Sequence, residues 1–275
     1  MSRKRNLKRS AQGKRRDMEG GLPIKSTIHP IKWPSDQKGW IMRQTWEHLL
    51  FAHWVVPFDV LRKLVPDSLQ IDTFEGQAWV SIIPFMMTGV RLRGLPPIPF
   101  TTTFPEINVR TYVKLGQKSG IYFLSLDASK PMITAIAKQW YRLPYARAAM
   151  QVVQGSEGLH FQSRRWGKPD GAEAFHASYR PVSDCFFAES GTLEYWLTER
   201  YTLFCECSRS KKIFHADVYH EPWRLQKASL ELQENTMTHA AFSLEGAPQL
   251  ALYARGVQSL VWPIKPVKSE GKPSW

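Results

Sequence analysis

Glu106, Asn108, Arg110 and Tyr112 stand at alternate positions in FPEINVRTYVKLG (104–116). Alternate residues of an extended strand share a face, so a carboxylate, an amide, a guanidinium and a phenol fall into one row. The opposite parity, Ile107, Val109, Thr111, Val113 and Leu115, supplies a packing face. Two readings of the polar row stand side by side. In one it meets solvent, and Glu106 and Arg110 form a structural ion pair. In the other it looks into a pocket, where burial raises the Glu106 carboxyl toward the range of a general base and Arg110 grips an anion by two parallel hydrogen bonds.

Other chemistry-bearing residues are weaker candidates. His48 and His53 are five apart and share no strand face, so they read as buried histidines satisfied by backbone groups. His215, Asp217 and Tyr219 alternate on one strand face, but two ligand types without a third do not make a metal site. Cys205 and Cys207 would lie on one side of a strand with no further ligand near in sequence, and they read as core residues. Neither a metal nor a cofactor is expected. Lys138 reads as solvated and Lys130 starts the helix loop; either could in principle reach a pocket as an amine nucleophile, but a reactive lysine needs a desolvated or cation-rich setting that the sequence does not announce.

The elements that must hold these residues are mostly strands. Residues 43–56 suit a buried strand, 56–69 a short helix opened by Pro57 and stopped by Pro66, and 77–94 a long strand bent at Pro84 and Gly89. A turn is expected at Glu75-Gly76 and another near Gly116–Gly120. The periodicity predicts a helix over 131–143, with Met132, Ile133, Ile136, Trp140 and Leu143 on one face. The second half reads as strands in MQVVQ, LHFQSRRW, HASYRPV, ERYTLFCEC, KIFHADVYHE, KASLELQEN and LYARGVQSLVWPI, with a short helix at TLEYWLTER (192–200). Many closely spaced strands with two or three helices predict an α+β fold built on a mostly antiparallel β-barrel. Trp46, Trp54, Trp79, Phe85 and Tyr112 are placed on strands that would wall its pocket, though ordinary barrel core is the stronger reading of them.

The chain has 275 residues, 43% of them hydrophobic, and a formal charge of +13. Residues 1–25 hold nine Lys/Arg against two acids, and the rest of the chain is only mildly basic. The expectation is a disordered basic tail over 1–25 and a single domain over 40–265. No apolar h-region follows the tail's charges, and no run of about 18 apolar residues suits a membrane span. Three cysteines without a secretory signal point to the cytoplasm.

WEHLLFAHW (46–54), FEGQAWVSIIPFMMTGVRLRGLPPIP (74–99), FPEINVRTYV (104–113), YFLSLDAS (122–129), LPYARAAM (143–150), LTERY (197–201), YHEPWRLQ (219–226) and VWPI (261–264) together resemble the YqjF-like family. That family belongs to a wider group similar to acetoacetate decarboxylase. The resemblance implies a cone-like barrel with a central pocket, and places Glu106 where the decarboxylase has a glutamate facing that pocket. The decarboxylase carries a Gly-x-Pro-Lys-Lys segment whose first lysine forms a Schiff base and whose second lowers its pKa. Here Leu143-Pro144-Tyr145-Ala146-Arg147 keeps the proline, but Tyr145 and Ala146 stand in place of the lysines. Neither can form an imine, and Arg147 is a permanent cation rather than an amine nucleophile.

These readings converge on a protein that binds a small organic, acidic molecule inside a barrel. Glu106 and Tyr145 are the acid–base candidates; Asn108, Arg110, Tyr112 and Arg147 are the ligand-binding candidates. A lyase or hydrolase working through Glu106 and Tyr145 without a Schiff base is the alternative. A nucleic-acid partner for the basic tail ranks last, since no nucleic-acid motif follows it. A homo-oligomer is left open by barrel relatives that assemble.

Overall fold

The computed structural model describes residues 38–96, 103–130, 143–168, 173–207 and 210–267. The expected helix over 131–143 falls almost entirely outside these residues, as do the basic tail and Lys138.

The alternating stretch forms strand β4, Thr103–Leu115. It pairs antiparallel on one side with β3, Ala78–Leu92, and on the other with β5, Lys118–Ala128. The β4–β5 connection is the two-residue turn Gly116-Gln117, with Gly116 in the left-handed region at φ 55°. β3 pairs with β1, Met42–Val56, and β1 with β12, Leu250–Val261. The circuit closes through β10, Ile213–His220, and β9, Thr202–Glu206: β12 pairs with β10, β10 with β9, and β9 with β5. Seven strands thus return to their start as a ring.

A second group lies outside this ring. β6 (Tyr145–Gly155), β7 (Gly158–Arg165), β8 (Ala174–Pro181) and β11 (Leu225–Asn235) run from β5 round to β12. Among the described residues all pairings are antiparallel except β5 with β6 and β5 with β9. Short strands β2 (Gln70–Ile71) and β13 (Lys265–Pro266) finish the edges. The expectation of a mostly β protein with few helices is met.

Both faces of β4 are therefore buried, for different reasons. Ile107 and Val109 pack outward with Trp54, Ile82, Phe161 and Phe175, filling the space between ring and outer strands. Phe104, Glu106, Asn108 and Arg110 face the ring interior. Apolar burial of this extent, worth about 25 cal/mol per Å² removed from water, is the main force holding the two layers together.

Local chemistry explains the irregularities. Gly89, at φ 60°, sits where the β1–β3 register slips between Arg43 and Thr45. Pro84 and His48, whose φ is 55°, both lie in the second slip, between the pairs Glu47–Met86 and Ala52–Ile82. Glu75-Gly76 makes a tight turn, with both residues at positive φ and Phe74 bridged to Gln77. Gly120 has another reason to be glycine: a Cβ there would lie 2.5 Å from the Thr202 carbonyl oxygen and 2.8 Å from the Phe204 ring. This close approach is where β9 docks on β5.

Two short helices are described. α1, Phe58–Arg62, follows Pro57 but ends before the expected stop at Pro66. Arg62 turns back and donates to the carbonyls of Val65, Pro66 and Leu69, folding the rest of that segment into turns. α2, Leu193–Thr198, is capped by Thr192, whose hydroxyl accepts from the Tyr195 amide. Among the described residues no helix is long and apolar enough to cross a membrane.

Candidate functional site

The ring encloses a cavity of about 230 Å³. A single water needs only about 10–15 Å³ on that scale, so the space suits a small organic molecule. Its walls are apolar and aromatic, with Trp46, Phe51, Phe85, Phe104 and Trp223 prominent. Few polar side chains reach it, and β4 supplies three in a row: Glu106, Asn108 and Arg110. The polar face of the alternating strand thus looks into a pocket rather than into water.

Glu106 is 3% exposed. Its Oε2 accepts a hydrogen bond from the Tyr145 phenol at 3.1 Å. Burial pushes the carboxyl up to about 8; the Tyr145 bond opposes this and the nearby Asp127 charge adds to it. Glu106 is thus a neutral acid at pH 7, and a proton donor as well as an acceptor. The strand pairings deliver the two partners. Ala128 of β5 stands opposite Glu106, and Leu126 of the same strand pairs with Tyr145 of β6.

Arg110 is buried, and its Nη2 donates to the Leu197 carbonyl at 3.0 Å. Its Nε has no partner, and no carboxylate of the described residues lies within 4.0 Å of its guanidinium. Burial lowers its pKa, but a guanidinium stays charged at any physiological pH. Asn108 Oδ1 is likewise buried and unpartnered.

Arg200 joins the site from the segment between α2 and β9. Its Nη1 donates to Asp72 at 2.8 Å and its Nε to the Trp196 carbonyl at 2.6 Å, while Nη2 is buried without a partner. His220, at the end of β10, stacks on Tyr201 at 4.7 Å and donates through Nδ1 to the Glu221 carbonyl. Burial drives its pKa down to about 4, so the ring is neutral. Arg91 of β3, partly exposed, also borders the cavity. No lysine is among its described lining residues.

Two of the sequence candidates sit elsewhere. Tyr112 follows Arg110 in the same row but is fully buried and does not line the cavity. Its hydroxyl bonds Ser81 Oγ at 2.5 Å, and Ser81 bonds His53 Nδ1 at 2.6 Å. Its ring packs under both arginines, with guanidinium carbons 5.7 Å (Arg110) and 5.2 Å (Arg200) from its centroid. Arg147 is exposed and stacks on Trp166 at 5.0 Å. The physical reason is the path of β6. Only residues 145–147 pair with the ring; from Ala148 the strand pairs with β7 in the outer group. Two residues advance the chain by about 6.6 Å, enough to carry Arg147 clear of the pocket.

Of the aromatic residues expected in the wall, Trp46 and Phe85 are there, whereas Trp54 and Trp79 belong to the core. His48 and His53 bond the hydroxyls of Tyr253 and Ser81 rather than backbone groups. Asp217 pairs with Lys118 at 2.6 Å, and among the described residues no group of three or more His, Cys, Asp or Glu could hold a metal.

With this geometry in hand, comparison with solved structures places the architecture. The fold is that of acetoacetate decarboxylase and its structural relatives. The acetoacetate decarboxylase of Legionella pneumophila matches over 89% of this chain and 94% of its own, at 12% identity and a TM-score of 0.57. The enduracididine biosynthesis enzyme MppR, complexed with pyruvate, matches over 92% of this chain and 100% of its own, at 9% identity and a TM-score of 0.57. At such identities the likeness concerns fold alone.

Sequence comparison is more specific. Residues 43–258 match the DUF2071 family of uncharacterized conserved proteins, and the chain belongs to that family. The protein YqjF of Bacillus subtilis is 45% identical over 227 residues, which are 82% of this chain and 92% of that protein.

Proposed function

We propose that this protein binds a small organic anion, most simply a carboxylic acid, inside the ring, which acts as a barrel around it. One observation carries the reading: Arg110 is a buried guanidinium that faces the cavity with no carboxylate partner among the described residues. A buried charge is costly unless it is paired, and a fold that keeps one unpaired at a cavity wall has a use for it. An anionic ligand supplies the missing charge. Asn108 adds a buried amide oxygen without a partner among the described residues, an acceptor for a ligand hydroxyl or N–H, and the aromatic walls take the ligand's apolar part. A count of only three cysteines in 275 residues supports a reducing compartment.

The test is calorimetry against a panel of small carboxylic acids, comparing the protein with Arg110→Met. Acids that bind the native chain should lose affinity by about tenfold or more in the variant, consistent with the 2–5 kcal/mol commonly lost when a buried charge pair is broken. Affinity that survives in a folded variant would remove Arg110 from the reading.

The Glu106–Tyr145 pair favours a second reading, in which the bound molecule is also turned over. A carboxyl raised to about 8 and bonded to a phenol can pass a proton in either direction near neutral pH, without an imine. Glu106→Gln separates the two. A binder keeps its ligand; an enzyme keeps its ligand and loses turnover.

A further inference from the structure

The cavity is polar at two places along β4, and the two differ in chemistry. Near Arg110, Arg110 Nε and Arg200 Nη2 are buried without a partner among the described residues, both donors on permanent cations. The two guanidiniums share the Tyr112 ring. Asp72 sits at 2.8 Å from Arg200 but also at 2.7 Å from Lys114, so one carboxylate faces two cations there, with Arg110 beyond them. The geometry calls for a second negative group, and one carboxylate has two oxygens to offer two donors.

At Glu106 the chemistry is neutral. A buried carboxyl and a phenol already bonded to each other can give one hydrogen bond and take another, which suits a hydroxyl or a carbonyl. Four residues of β4 separate Glu106 from Arg110, about 13 Å at roughly 3.3 Å per residue. Between them lie Asn108 and an apolar wall that includes Ile83, Phe123 and Leu126.

We infer that the ligand is a monocarboxylate with a neutral oxygen function at its far end. Its carboxylate bridges Arg110 and Arg200, its apolar middle lies along Asn108, and its far hydroxyl or carbonyl meets the Glu106–Tyr145 pair. This rests on the anion-binding reading above and adds the second pole and the orientation. A chain of roughly eight carbons covers most of the distance set by the strand spacing.

The experiment is calorimetry of the full chain at pH 7 with three probes: octanoate, 8-hydroxyoctanoate and 1-octanol. The expected order is 8-hydroxyoctanoate, octanoate, then 1-octanol. The first step should be roughly three- to tenfold, the return on one neutral hydrogen bond. Tyr145→Phe, and separately Glu106→Ala, should narrow that first gap. Arg200→Lys keeps a cation for Asp72 but removes the planar fork, and should weaken both acids alike. Equal affinity of the two acids for the native chain overturns the second pole and leaves anion binding standing. A gap that survives in both Glu106→Ala and Tyr145→Phe also overturns it. If neither acid outbinds 1-octanol, the anion reading itself fails. The comparison within the native chain needs no variant, so a misfolded one leaves the inference open to refutation.

Discussion

Tyr145 and Glu106 are 39 residues apart in the chain and 3.1 Å apart in space, joined by a bond from phenol to carboxyl. They meet because β5 pairs antiparallel with β4 and parallel with β6. The bond stabilises the ionised carboxyl, yet burial outweighs it and Glu106 is held up to about 8. Free of the fold, the same group titrates at 4.5. Between these values the unfolded chain holds fewer protons than the folded one, so stability falls as pH rises through that window. Glu106→Gln should remove this slope and be the more stable protein at pH 7, by about 3 kcal/mol at most. Urea unfolding from pH 5 to 9 measures it; parallel curves for the two proteins would show that Glu106 does not titrate late.

Arg110 leads to the opposite of the usual expectation for a buried side chain. Replacing it with methionine keeps most of the packing volume and removes an uncompensated charge. Without ligand, Arg110→Met should be as stable as the parent or more so, by about 1–4 kcal/mol, because hydrophobic replacement of buried charges is often favourable. Thermal melts in buffer without carboxylates decide this. A large loss would mean that Arg110 already has its counter-charge in the folded chain.

Arg165 is the contrasting case. It grips Asp127 with two bonds, at 2.6 and 3.0 Å, and holds Glu173 at 2.6 Å, tying β7 to β5 behind the Glu106–Tyr145 pair. Arg165→Met strands the wholly buried Asp127, and should cost about 3–5 kcal/mol by denaturant unfolding.

His220 contributes to the acid side of the stability curve, together with buried His53 and half-buried His48, whose pKa values burial also lowers. The folded His220 pKa of about 4 lies below the ordinary 6.5. The unfolded chain therefore takes up the proton first, and stability drops as pH falls through that interval. His220→Gln keeps a side-chain amide donor near the Glu221 carbonyl. It should lose less melting temperature than the parent between pH 7 and pH 4.5.

Gly120→Ala tests the docking of β9 on β5. The added methyl meets backbone as well as a ring, so it cannot simply push a flexible chain end aside. A loss of about 1–3 kcal/mol is expected, in the range of other overpacked sites.

The strand order along β4 was legible because alternation carries its own register: Glu106, Asn108 and Arg110 line the cavity as their parity implies. So were the turns at Glu75-Gly76 and Gly116-Gln117, where residue type and backbone conformation go together. The other half of the site was not. Arg200, His220 and Trp223 lie within LTERY and YHEPWRLQ, stretches that mark the family, but nothing local says that they face β4. That is decided by β9 closing on β5 and β12 on β10, long-range pairings with no sequence period. Arg147 shows the converse limit. Its spacing from Tyr145 suggests a shared face, but Arg147 is the last residue of β6 paired with the ring before the strand passes to the outer group. Tyr112 kept the parity and still left the cavity, because α2 packs Trp196 on its ring at 4.6 Å.

With one side of β4 locked into the seam between ring and outer strands and the other open to the cavity, architecture and chemistry fall on residues of opposite parity. On the binding reading, exchanging Asn108 or Glu106 would alter what the chamber welcomes without touching Ile107 or Val109, which pack between the layers.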